Sequence, residues 1–216
     1  MNRILASKWT KVVLFVLCLT PFLKLAWGAF LIWRGNLDLL PANPIEYVTH
    51  YTGDWILRFL LITLSITPLR LFFKRPQLTR FRRMLGLFAF FYAILHFSTW
   101  FAVDKAFSLT EMWADVLKRP YITVGMSALL GMAPLALTST AGWVRRMGYK
   151  RWQKLHKLIY FCGLAGVIHY YWLVKSDVRL PLMYAAIWAG LMTVRVVTWM
   201  KSRRPRVLRP ANLKST

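Results

Sequence analysis

The 216-residue chain has 17% charged residues, where a soluble domain carries about 25%, together with 57% hydrophobic residues and a mean hydropathy of +0.43. That composition excludes an ordinary soluble globule and places the chain in lipid. The formal charge of +23 invites a nucleic-acid partner, so the position of the cations has to decide what the charge means.

A bilayer core of ~30 Å needs roughly 20 apolar residues in helix, and six stretches qualify. They run approximately over 12–33, 55–73, 84–101, 121–137, 158–174 and 180–200. The first follows Arg3, Lys8 and Lys11 and resembles a leader, but it continues through Pro21 and Lys24 to about Trp33, so it is expected to be a retained helix. Gly35 to Asp54, with Pro41 and Pro44, is expected to form an outer loop closing over the helix ends. Beyond Met200 lies a basic cytoplasmic tail, 201–216, too short to fold alone. The expected architecture is all-α, one domain over 1–216: a six-helix transmembrane bundle.

The charges between the spans give an independent test. With the amino terminus inside, the inner segments collect Arg3, Lys8 and Lys11, then Arg70, Lys74, Arg75, Arg80, Arg82 and Arg83. Arg145, Arg146, Lys150, Arg151, Lys154 and Lys157 follow, and the tail adds six more cations. All seven acids, Asp38, Glu46, Asp54, Asp104, Glu111, Asp115 and Asp177, sit in or beside the opposite loops. Both termini are therefore predicted to be cytoplasmic. The basic clusters lie at helix ends beside anionic lipid, which makes membrane lipid the partner of this charge and removes nucleic acid.

Cys18 and Cys162 fall far apart in apolar stretches and suit neither a disulfide framework nor a zinc site. The four histidines are more informative. His96 stands 13 residues after Arg83 in the third span and His169 stands 12 after Lys157 in the fifth, so both rings lie roughly 18 to 20 Å from the inner edge. Two helices presenting imidazoles at one depth is what a haem iron with two axial ligands requires. Two isolated polar residues bonded to backbone carbonyls is the plainer reading, although ionisable groups inside a membrane are rare and usually functional. Gly86, Gly163 and Gly166 remove side chains where a macrocycle would press, and serve helix packing equally well.

His156 lies 13 residues before His169, about 20 Å lower and roughly 140° around the helix, so the two cannot share one haem. It stands level with Arg82 and Arg83, where arginine is a poor haem ligand. The inner level is thus a second haem with an unusual partner, a quinone or flavin site, or a surface histidine among basic residues. Lys24, central in the first span, is a candidate contact for a propionate, a carbonyl or a water, and Arg195 is expected to snorkel to the inner surface. The tryptophans, Trp55 and Trp152 among them, are expected to form interfacial belts.

Ile66-Thr-Pro-Leu-Arg70, Arg82-Arg-Met-Leu-Gly-Leu87 leading to His96, Arg119-Pro-Tyr121, Leu137-Thr-Ser139 and Arg151-Trp-Gln-Lys-Leu-His156 through His169 together resemble the MsrQ (formerly YedZ) family. That family sits in the ferric-reductase-like transmembrane group, and the resemblance spans nearly the whole chain. In that group two helices each carry two histidines some 13 or 14 residues apart, holding two stacked haems. Here the fifth span keeps both, whereas the third keeps His96 alone and has Arg82 at the inner position. The resemblance implies haem b, FMN, a quinol or cytosolic flavin reductase as donor, and a periplasmic MsrP-like molybdoenzyme that reduces methionine sulfoxide in oxidised proteins. It also implies a bacterial inner-membrane location and an electron-transfer subunit with no catalytic residue of its own. His50-Tyr-Thr-Gly53 looks like the family's outer-loop motif, with His50 as a propionate contact, a partner contact or a solvated loop residue.

Two alternatives remain at this level. One is a ferric reductase membrane component acting directly on chelated iron, against which the absence of a fused flavin domain argues. The other is a cofactor-free transporter or assembly protein whose histidines bond across helices.

Overall fold

A computed structural model describes residues 5–36, 38, 41–174 and 176–203, all of them helical or in turns between helices. The expected tail lies outside the described residues from 204 onward.

Helix α1, Lys8–Trp33, starts at Ser7, whose hydroxyl accepts the Trp9 amide at 3.2 Å. Pro21 in its middle has no N–H to donate, so the ladder is repaired by side chains. Thr20 Oγ1 donates to the Leu17 carbonyl, and the buried Tyr92 hydroxyl inserts one bond further on, donating to the Cys18 carbonyl and accepting the Phe22 amide, both at 3.0 Å.

Helix α2, Pro44–Phe72, corrects the expected outer loop over Gly35 to Asp54. Its proline is not a loop signal but the first helical residue, where a missing N–H costs nothing. Asn43 caps it, accepting the Glu46 amide at 3.2 Å while its own amide donates to the Glu46 carboxylate at 3.0 Å. His50 and Gly53 therefore sit on a helix rather than in a loop.

After a 3-10 turn over Pro76–Leu78, helix α3, Thr79–Ser98, runs on into a π-helical turn over Thr99–Asp104. The short helix α4, Leu109–Lys118, capped by Ser108 onto the Glu111 amide, packs Met112 and Val116 against the bundle. Helix α5, Pro120–Leu137, also begins on a proline. Two short helices, α6 (Ala141–Met147) and α7 (Tyr149–Leu155), meet at Gly148, whose φ of 76° favours glycine. Helix α8 is Leu158–Leu173 and α9 is Arg179–Arg203.

Five of these segments are long and apolar enough to cross a membrane: Lys8–Trp33, Pro44–Phe72, Pro76–Asp104, Pro120–Leu137 and Arg179–Ser202. The expected fifth span appears as α8, only 16 residues long because a turn at His156 and Lys157 separates it from α7.

The core lies between α2, α3, α5 and α8, around Leu60, Leu64, Ala89, Tyr92 and Cys162. Large apolar side chains such as Val13, Leu130 and Val196 point outward, as they do when the solvent is hydrocarbon. Cys18 and Cys162 are both free and buried. Trp27, Trp33, Trp113, Trp172 and Trp199 stay exposed, as a belt requires. Trp55 and Trp152 do not: Trp55 packs on Phe59 inside the bundle, and Trp152 lies on His156.

Candidate functional site

His96, in the last turn of α3, and His169, near the C-terminal end of α8, face each other with ring centroids 6.1 Å apart and planes at 86°. The matched depths read from the sequence thus bring the two rings together. Each is held from behind by a backbone carbonyl. His96 Nδ1 donates to the Thr49 carbonyl of α2 at 3.0 Å, and His169 Nδ1 donates to the Tyr121 carbonyl of α5 at 2.7 Å. A carbonyl oxygen only accepts, so each Nδ1 carries the proton and each Nε2 presents a lone pair.

Two glycines allow these bonds: Gly53, which stands in the sequence only as the end of the His50 motif, and Gly125, which lies in none of the motifs. A Cβ on Gly125 would stand 2.7 Å from His169 Nδ1, and one on Gly53 would stand 3.3 Å from His96 Cε1. The imidazoles lie directly on helix backbones that any side chain would push away. Gly163 instead accommodates the Trp188 indole, Gly166 receives Leu57, and Gly86 faces the Thr63 methyl at 3.8 Å, so these three serve helix packing. A signal for Gly53 and Gly125 was available: each follows the residue whose carbonyl accepts the imidazole bond, Thr49 or Tyr121, by one helical turn.

The rings border a cavity of about 240 Å³ among α2, α3, α5 and α8, lined by apolar side chains such as Leu57, Met126, Leu129 and Leu173. His50, half-exposed and 3.9 Å from the Glu46 carboxylate, borders the same cavity, as does Arg119. Arg119 pairs with Asp115 at 3.2 Å, and Asp115 receives the Lys105 ammonium at 2.7 Å. Lys105 also reaches Asp104 at 3.0 Å, and these two carboxylates hold its ammonium above the usual lysine range.

The donor set tests what could sit here. No group of three or more His, Cys, Asp or Glu converges on a metal-sized site among the described residues. Two imidazoles are too few to hold a bare ion, but enough for one whose four equatorial donors come with a macrocycle. Two imidazoles bound end-on to one ion, with metal–nitrogen bonds of ~2.0 Å and a ring centre about 1.2 Å behind each nitrogen, stand roughly 6.4 Å apart. The observed 6.1 Å agrees with that span.

The inner level is assembled differently. His156 stacks on Trp152 at 3.9 Å between centroids and donates from Nδ1 to the Trp152 carbonyl at 3.1 Å, with the Leu135 carbonyl also beside the ring. Burial, with the Arg82 guanidinium nearby, holds this imidazole below the usual histidine range. Arg195 does not snorkel outward as expected. Its guanidinium turns inward over the Tyr160 ring and hydrogen-bonds the Leu64 carbonyl, because that buried acceptor is within reach and lipid offers none. Arg83 is on another face of α3, beside α1, and Lys24 lies over the Tyr51 ring at 5.5 Å, away from the histidine cavity.

These features define a membrane-type helical bundle with an intramembrane histidine pair, and the sequence comparisons agree. The family described as "Ferric reductase like transmembrane component" matches residues 52–167. A protein-methionine-sulfoxide reductase heme-binding subunit MsrQ from Xanthomonas euvesicatoria is 47% identical over 194 residues, covering 90% of this chain and 88% of that protein. Relatives of the same description are 48% identical in Herminiimonas arsenicoxydans, over 92% of this chain and 89% of theirs, and 48% identical in Caulobacter vibrioides, over 82% and 83%. The chain belongs to the MsrQ family of ferric-reductase-like membrane proteins.

Proposed function

We propose that this protein is the haem-binding membrane subunit of a methionine sulfoxide reductase system, passing electrons across the bacterial inner membrane to a periplasmic MsrP-like molybdoenzyme. The observation that carries the reading is the pair His96 and His169, facing each other with both Nε2 lone pairs free. The names of the relatives, heme-binding subunits of a protein-methionine-sulfoxide reductase, support it.

In this reading His96 and His169 would hold a haem b, which would supply a one-electron ferric/ferrous couple. The rest is the work of the chain. The Thr49 and Tyr121 carbonyls fix both rings in the right tautomer and raise their basicity. The apolar walls of the cavity keep water from the site. His50 and Arg119, at its border, are placed to meet propionates or a docking partner.

The inner level, His156 with Arg82, is the candidate position for a second haem, a quinone or a flavin such as FMN, and its support is a half-buried imidazole beside the Arg82 guanidinium. Electrons would enter there from quinol or a cytosolic flavin reductase. This scheme takes α8 as a sixth span, giving a single six-helix domain with both termini cytoplasmic, on the strength of the segregated charges.

A reduced-minus-oxidised spectrum of the purified protein tests the core of the reading. A low-spin b-type spectrum is expected, lost in both His96→Ala and His169→Ala. A wild-type protein without haem bands, or full haem in either variant, would overturn the assignment.

A further inference from the structure

Helices α1 and α3 run parallel, both starting at the same side of the bundle, and they part below the contact of Tyr92 with Phe22. The space between them is a groove of about 560 Å³ lined by two ladders. Lys11, Phe15 and Leu19 recur every four residues on α1, and Arg83, Leu87 and Phe91 do the same on α3. Each ladder has its cation at the helix start and apolar groups above it. Phe15 meets Phe88 edge-on at 5.1 Å across the floor, and Phe22 meets Phe91 at 5.5 Å at the closed end.

A third cation, Arg80, is already used: it donates to the Leu5 and Ser7 carbonyls at 3.0 and 3.1 Å and so fastens the start of α1. Neither Lys11 nor Arg83 has a carboxylate partner among the described residues. All seven acids of the chain lie in other segments.

We propose that this groove binds one anionic phospholipid, its phosphate between Lys11 and Arg83 and its acyl chains along the two ladders. The proposal needs the helices to lie in a membrane but does not depend on haem. Charge complementarity selects the occupant. A second copy of this chain would present the same cations, and the segment 204–216 carries Arg204, Arg206, Arg209 and Lys214 with no acid, so both repel. Free phosphate would leave Phe15, Leu19, Leu87 and Phe91 uncovered, and a neutral quinone would leave the cations unpaired. The depth also suits: Lys11 to Leu19 rises about 12 Å, close to half a bilayer core of ~30 Å.

Native mass spectrometry of the full chain in neutral detergent reads the binding directly. With phosphatidylglycerol, one lipid per chain is expected to bind more tightly than phosphatidylcholine. Neutralising each cation should cost about fivefold, so Lys11→Gln with Arg83→Gln weakens binding roughly 25-fold. Leu87→Trp, which fills the groove without touching the charge, should also displace the lipid. Phosphatidylcholine binding as tightly as phosphatidylglycerol, a doubly neutralised variant that retains the lipid, or displacement by ubiquinone or by inorganic phosphate would each overturn the proposal.

Discussion

Gly125 and His169 are fitted to each other: a β-carbon on the glycine would stand 2.7 Å from the ring nitrogen that donates to the Tyr121 carbonyl one turn earlier. A real Cβ never approaches so closely, and the obstacle is a ring held in a packed bundle rather than the free end of a flexible chain. Gly125→Ala is therefore expected to turn His169 away from His96 and remove most of the haem absorbance per protein. Gly53→Ala, where the clearance is 3.3 Å, should keep the larger part of it. Haem-to-protein ratios from pyridine haemochrome spectra check the order, and equal retention in both would show that the glycines do not set the ring positions.

The inner and outer histidines should behave as separate sites. His156 approaches Trp152 and Arg82, not the cavity between His96 and His169. His156→Ala is expected to leave the bis-imidazole low-spin signal in place, whereas His169→Ala abolishes it. Electron paramagnetic resonance of the oxidised protein distinguishes the two, and loss of the low-spin signal in His156→Ala would mean that the levels are one site.

Tyr92 is fully buried, and its hydroxyl takes the place of a backbone bond that Pro21 disturbs in α1. Tyr92→Phe removes that bridge and leaves a backbone donor and acceptor in an apolar interior, at a cost of roughly 1 to 3 kcal/mol. A lower thermal midpoint in detergent is expected, with haem still bound because the histidine pair is untouched. An unchanged midpoint would mean that α1 closes its own ladder once the hydroxyl is gone.

Lys105 joins Asp104 to Asp115, and Asp115 in turn pairs with Arg119, the residue before the start of α5. Its folded pKa is raised above the unfolded value, so the stabilisation is complete below about pH 10 and is lost as the pH climbs through the folded value. The wild-type thermal midpoint should fall on the alkaline side, and Lys105→Gln should lower the midpoint at neutral pH while flattening that fall. Parallel alkaline limbs in the two proteins would remove Lys105 as the cause.

Much of this molecule was legible in the order of its residues. Apolar runs long enough for a bilayer, and cations gathered at alternate ends, follow from composition along a line, because lipid sorts side chains by transfer energy alone. The common depth of His96 and His169 followed from counting residues, since rise per residue is constant in a helix. Other features needed the packed bundle. Pro44 reads as a loop breaker until Asn43 is seen capping the helix that it opens, and that helix carries Thr49 and Gly53 to His96. Arg195 turns inward only because the Leu64 carbonyl is buried within its reach. The carbonyls and glycines that orient the two imidazoles come from helices distant in the chain, and no local pattern determines which backbone a ring will rest on. That choice belongs to tertiary packing, where close contact decides which side chains can be present at all.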